Sequence, residues 1–318
     1  MQNNSSHLST SCTLSNAEIT QILVAYLFFF SFPFAFLLNA IAAWVSFHLP
    51  LSSTFIVYLK TLVGADLLMT LTIPSIAASM LPGAALEVRS FSCRYAGVIF
   101  FTSMYTSITL MGLISLDRFF KIVRPLGKGF GQNITTSIVL SSLVWVVLFG
   151  GLPNIILTNR TVPTTQISGC MILKSPAGIR FHEKTTLFLN VFFWIVSVTI
   201  AVCYICIVNK VIQSYRNSGS NNSQGKQKVK LRVFLVIIVF FVSFGPYHIV
   251  RIPYTFQQVS SSSTTTCSQI DIQIKLAKEL THWLSTTNIC MDPLLYVFLC
   301  REFKEQLMAL MKKVNRWI

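Results

Sequence analysis

The sequence predicts an all-α membrane protein, a seven-transmembrane helix bundle with a short amphipathic C-terminal helix. Three observations predict it. Of 318 residues, 53% are hydrophobic and only 11% charged, with 26 Phe, against about 25% charged residues in ordinary soluble domains. Seven stretches have the length and polarity to span a bilayer, roughly 20–47, 54–81, 91–119, 134–157, 186–209, 232–256 and 276–299. They are continuous apolar runs, whereas a membrane β-barrel needs short alternating segments, so helices are predicted. Finally, the net charge of +15 is segregated. Arg118, Lys121, Arg124 and Lys128 follow span three. Lys210, Arg216, Lys226, Lys228, Lys230 and Arg232 flank the loop after span five. Arg301, Lys304, Lys312, Lys313 and Arg316 follow span seven, while the first 18 residues hold no Lys or Arg. By the positive-inside rule the basic regions are cytoplasmic and the N-terminus is outside. Topology and attraction to anionic membrane lipids account for the charge, and no nucleic acid is required.

In chain order, residues 1–18 read as a disordered extracellular tail, polar and rich in Ser and Asn. No basic stretch precedes a cleavable apolar core, so the first span is expected to act as an uncleaved anchor. Asn3, Asn4 and Asn159 begin N-x-S/T sequons on the expected outer face; those at Asn133 and Asn221 fall inside. The bundle occupies 19–299 and a cytoplasmic helix and tail 300–318. Of the eight cysteines, Cys12, Cys93, Cys170 and Cys267 fall outside, which suggests two disulfides with three pairings open. Cys203, Cys206 and Cys290 lie within spans, and Cys300 sits at the inner edge, either lipid-modified or plainly interfacial.

Within the apolar spans, Asn39, Asp66, Ser107, Asn288 and Asp292 need partners and are expected to converge on one another, on water or on an ion. One reading is a structural polar network; the sharper one is a switch sensitive to sodium or protons near Asp66. The sixth span closes as FFVSFGPYHIVRIPY, with Pro246 able to kink the helix. His248, Arg251 and Tyr254 follow at three-residue spacing, on one helical face. An intramembrane Arg either snorkels or marks a functional cavity. The loop around 215–227 is rich in Gly, Ser and Asn and reads as flexible. After span seven, Phe303, Leu307, Leu310 and Met311 form one face of a helix lying on the inner leaflet.

The separated motifs carry a resemblance. Asn39, LVGAD with Asp66, Cys93, Asp117-Arg118-Phe119, Trp145, Tyr204, Phe240 with Pro246, and Asp292-Pro293-Leu294-Leu295-Tyr296 stand in order across the whole chain. Together they resemble the rhodopsin class of G-protein-coupled receptors, with Asp292 in place of an Asn and Phe119 in place of a Tyr. Phe244 replaces a common switch tryptophan and Val196 a common proline. Those departures and the strings FIVYLK, GLISLDRFFKIVRPL, LPNIILTN, PYHIVRIPYT and NICMDPLLYVFLC resemble the purinergic nucleotide receptors. The similarity is to the branch responding to ADP or UDP-sugars, nearer its UDP-glucose-responsive side.

The resemblance implies disulfides Cys93–Cys170 and Cys12–Cys267. It implies ligand roles for Arg251, Lys278, His248, Tyr254, Tyr105, Glu279, Asn154, Lys174, His182 and Arg89. It implies coupling or switch roles for Asp117, Arg118, Asp66, Asn288, Asp292, Tyr296, Tyr204, Phe240, Phe244 and Pro246, with Arg118 pairing to Asp117 at rest. The implied function is a plasma-membrane receptor for an extracellular nucleotide or nucleotide sugar, UDP-glucose or UDP favoured. It would signal through a Gi-type heterotrimeric G protein to lower cyclic AMP, without a cofactor. Arg and Lys suit clustered phosphates, Arg bidentately. The alternatives are an ADP receptor of the same branch or a receptor for a lysophospholipid headgroup. A transporter would show internal repeats, which are absent, and an enzyme would show GxSxG, HExxH or paired catalytic carboxylates, also absent.

Overall fold

A computed structural model describes residues 6–124, 133–150, 170–217, 223–260 and 269–314. The long helices follow the apolar runs: α1 (Ser6–His48), α2 (Thr54–Met80), α3 (Leu86–Ile122), α4 (Ile134–Phe149), α5 (Pro176–Asn217) and α6 (Ser223–Ser260). The seventh span is two helices, α7 (Gln269–Thr286) and α8 (Asn288–Leu299), and α9 (Arg301–Val314) follows it. Capping sets two of the starts. Ser53 accepts from the Ile56 amide at 3.4 Å, and Asn133 accepts from the Thr135 amide at 3.2 Å. The turn after α2 uses Gly83 at φ +77°, a conformation glycine adopts without a Cβ clash.

Three boundaries differ from the expectations. The helix α1 reaches back to Ser6, so part of the stretch read as a disordered tail is helical. Between Ser6 and the first span there is neither Gly nor Pro to stop a helix propagating backwards. The flexible loop expected at 215–227 is narrower, because α5 runs to Asn217 and α6 starts at Ser223. The seventh span breaks at Thr287, six residues before Pro293. At the break the Thr287 amide and hydroxyl both bond back to the Leu284 carbonyl in a tighter turn, and Pro293 removes a further helical bond at the Ile289 carbonyl just beyond it.

The helices close into a bundle. The ring runs α1–α2, α2–α3, α3–α5, α5–α6, α6–α7 and back to α1, with α4 against α2 and α3. Packing is inverted relative to a soluble protein. Phe30, Phe34, Phe47, Phe188, Val191, Ile195, Val198 and Ile249 are exposed on the outer faces, where lipid solvates them. One core gathers Phe28, Phe100, Met104, Tyr105, Phe193, Phe240, Phe244 and Tyr247. A second holds Val45, Leu59, Leu62, Ile114, Tyr296 and Phe303. Phe303, Leu307 and Leu310 of α9 pack on that second core, whereas Met311 is exposed. Cys300 is buried, with its thiol near Glu302 rather than open to lipid.

Candidate functional site

A disulfide joins Cys93, in a π-turn of α3 (Ser92–Ala96), to Cys170 at the start of a short 3-10 turn, with a Cα–Cα distance of 5.3 Å. This linkage draws the segment preceding α5 over one end of the bundle and delivers Lys174 there. Cys267, Asn3, Asn4, Asn154 and Asn159 lie outside the described residues, as does the side chain of Cys12.

Below the disulfide, α6 carries Arg251 inward. It is 9% exposed, and its guanidinium lies over the rings of Phe101 at 4.7 Å and Tyr247 at 5.2 Å. It forms no ion pair with any described carboxylate. Lys174, His182 and Lys278 all feel its charge. On α7, Lys278 pairs with Glu279 at 3.0 Å and sits 5.3 Å from the centre of the Tyr254 ring. The Tyr254 hydroxyl in turn accepts from Gln258. The carboxylate that looks out of place in a cationic site thus partly neutralises one lysine and leaves the arginine uncompensated. Arg89 stands apart, donating to the Leu81 carbonyl at 3.2 Å.

Deeper, Tyr105 and His248 are wholly internal. His248 Nδ1 is 2.8 Å from the Phe244 carbonyl, and Nε2 is 3.1 Å from the Tyr105 hydroxyl. A carbonyl can only accept, so Nδ1 carries the proton and Nε2 accepts from Tyr105. The ring also stacks on Phe193 at 3.6 Å, and the His248 carbonyl accepts from Asn190 at 2.6 Å. Both polar atoms that the sequence offers to a ligand at His248 are therefore taken by the protein. His282, which the motif reading passed over, is the reverse case: it is buried, and among the described residues both its ring nitrogens are unpartnered. The available signal was its position four residues after Lys278, on the same helical face.

Towards the opposite end, the polar residues of the spans converge. Ser107 donates to Asp66 Oδ1 at 3.0 Å and Tyr296 to Asp66 Oδ2 at 2.9 Å. Asn288 donates to Asp292 at 2.7 Å, and Asn39 to the Ile289 carbonyl at 2.9 Å, where Pro293 leaves a carbonyl without its helical partner. Next to this network, Tyr204, Phe240, Asn288, Asp292 and Tyr296 help to line a cavity of about 40 Å³ with a largely apolar wall. Phe244 packs edge-on to Phe240 at 5.4 Å, one turn along the Pro246-containing α6.

The ion pair expected between Asp117 and Arg118 is not made in this conformation. Asp117 is held by Lys121 at 2.8 Å and by the Thr54 hydroxyl at 2.7 Å, with Lys121 also bonded to Thr54. Arg118 instead donates to the Leu299 carbonyl at 3.1 Å and lies over Phe55 at 4.5 Å. Lys121, four residues on and on the same helical face, takes the Asp117 carboxylate, while Arg118 is engaged by the Leu299 carbonyl and the Phe55 ring.

Comparison with known proteins agrees with this layout. The family described as "7 transmembrane receptor (rhodopsin family)" matches residues 39–296. Human purinoceptor 13 is 41% identical over 293 residues, covering 92% of this chain and 82% of that protein. Bos taurus purinoceptor 14 is 41% identical over 294 residues, covering 92% and 86%. Mus musculus G-protein coupled receptor 87 is 38% identical over 296 residues, covering 93% and 81%.

Proposed function

Since the chain belongs to the rhodopsin family of seven-transmembrane receptors, and so is a multi-pass plasma-membrane receptor rather than an enzyme, we propose that its ligand is an extracellular nucleoside diphosphate or its sugar ester, with UDP or UDP-glucose favoured. One observation carries the reading: the buried Arg251 guanidinium, stacked on Phe101 and Tyr247, has no carboxylate partner among the described residues. An uncompensated buried cation is costly, and a phosphate arriving there would supply the missing charge with bidentate geometry. Lys174 and Lys278 both lie within electrostatic reach of Arg251. The relatives named purinoceptors fit this chemistry.

In this reading the disulfide end faces outward and the basic end faces the cytoplasm. Ligand drawing α6 and α7 together would shift the population of an α6 hinged at Pro246, opening the end that carries Arg118 to a Gi-type G protein. Among the described residues, the oxygens Asn39 Oδ1, Asn288 Oδ1 and Asp292 Oδ1 are buried without hydrogen-bond partners. An all-oxygen set of this kind suits a hard cation such as sodium beside Asp66.

The test is cyclic AMP inhibition by UDP-glucose, UDP and ADP in cells lacking other nucleotide receptors. Arg251→Ala is expected to abolish the response with surface expression intact; unchanged potency would sink the phosphate assignment. A response to ADP alone moves the ligand to the adenine side of the branch. Silence to all three from receptor at the surface directs the same cationic site to a lysophospholipid headgroup.

A further inference from the structure

His282 is a polar group that the protein leaves unfinished. The residue is 5% exposed. Its imidazole is walled by Phe28 at 5.4 Å and Phe100 at 4.9 Å, both edge-on, by Phe101 stacked at 5.2 Å, and by Tyr247 tilted at 5.8 Å. Among the described residues, neither Nδ1 nor Nε2 has a hydrogen-bond partner. A neutral imidazole always presents one N–H and one lone pair, and folded proteins rarely bury both unmade. His248 shows the ordinary solution within the same core, with one nitrogen on a carbonyl and the other on a hydroxyl. Among the described residues, no equivalent pair reaches His282.

Charge narrows what can complete it. Arg251 lies over Phe101 and Tyr247, two of the rings that flank His282. Both Arg251 and Lys278 act on the imidazole electrostatically, and Lys278 lies one helical turn away on α7. The nearby carboxylate, Glu279, is committed to Lys278. A group entering between two cations and an N–H donor is best matched as an anionic oxygen.

We infer that His282 is a direct ligand contact, the inner end of an anion subsite shared with Arg251 and Lys278, donating its ring N–H to a phosphoryl oxygen of the bound nucleotide. The inference rests on the nucleotide reading above and adds to it a specificity-determining residue. It also explains the aromatic box, since Phe28, Phe100, Phe101 and Tyr247 hold the imidazole in one orientation while offering it no competing acceptor.

The test compares wild type, His282→Phe and His282→Gln in cells lacking other nucleotide receptors, with UDP, UDP-glucose and ADP as probes. Potency in cyclic AMP inhibition and competition binding on membranes are measured, with thermal stability of the unliganded, detergent-solubilised receptor as a second readout. Phe keeps the ring and removes both unmade polar atoms. A direct contact predicts unliganded stability equal to or above wild type, together with a loss of about tenfold or more in potency and binding. Gln, which retains an N–H donor, should recover part of that loss. Potency within about twofold of wild type in His282→Phe overturns the inference, since it makes His282 a space-filler or a water ligand. Failure of His282→Phe to fold overturns it too, because the polar atoms would then serve the fold. Arg251→Ala separates the two claims. If it abolishes the response while His282→Phe keeps wild-type potency, only the His282 assignment falls. If Arg251→Ala also leaves potency unchanged, or wild type ignores all three probes, the nucleotide reading falls and this inference with it.

Discussion

Lys174 ties the site to pH. It lies just after the disulfide, half-buried beside Arg251, and burial first and the Arg251 charge second push its ammonium down to about 8, well below the usual lysine value of about 10.4. Bound phosphate favours the charged form, so ligand affinity is full while Lys174 is protonated and falls as pH rises through that value. The phosphates of a nucleoside diphosphate are already ionised at pH 7.4 and add no further change above it, and comparison with the Lys174→Arg receptor separates the lysine from titration of the base. Competition binding should weaken by up to about tenfold between pH 7.4 and 9, and Lys174→Arg, which stays protonated, should flatten the profile. An identical fall in the Arg variant would place the titration elsewhere. At this scale the motif reading named most of the cationic cluster, because Arg and Lys within or beside apolar spans are conspicuous. It could not rank the two histidines. His248 has the motif position, but whether a ring nitrogen is available depends on which carbonyl and hydroxyl fold against it.

At the scale of elements, the closest approach tested by a small residue lies between α3 and α5. A β-carbon at Gly112 would sit 3.0 Å from Val196 Cγ1, against 4.0 Å between Gly64 and the Trp145 ring. Val196 is stiff at its branched carbon and cannot easily yield. Gly112→Leu is therefore expected to cost roughly 1–3 kcal/mol through overpacking, seen as a lower melting temperature of purified receptor. Gly64→Ala should stay close to wild type; equal losses in the two variants would refute the packing argument. The spans themselves were legible because lipid demands a long apolar run with internal backbone hydrogen bonding. The break at Thr287 was not. Pro293 announces a weak point, but where the helix gives way depends on neighbours such as Asn39, which reaches the Ile289 carbonyl.

For the molecule as a whole, the disulfide is the longest-range covalent constraint described. Cys93 and Cys170 are separated by 77 residues, and closing a loop of that size restricts the unfolded chain by at most about 4–5 kcal/mol in the chain-entropy model. Helices that stay in the bilayer on denaturation limit the chain's freedom, so the realised gain should be smaller. Replacing both cysteines with Ser is expected to lower thermal stability by several degrees. The same change releases the segment carrying Lys174, so nucleotide binding should fall further than in the Gly112→Leu receptor at matched stability. Binding that merely tracks stability would separate the disulfide from the site.

By itself, the sequence determined the class of the molecule, the number and order of its spans, and the family to which their separated motifs point. Those properties follow from local features: run length, charge placement, proline, and short strings that do not depend on what lies across the bundle. Tertiary structure alone decided which polar groups are satisfied. It brought Thr54 to Asp117, gave Arg118 to the Leu299 carbonyl, closed His248 Nε2 with Tyr105, and left both nitrogens of His282 without a partner among the described residues. The reason is physical: a hydrogen bond requires donor and acceptor within about 3 Å, and residues far apart in the chain acquire that proximity only when the helices pack.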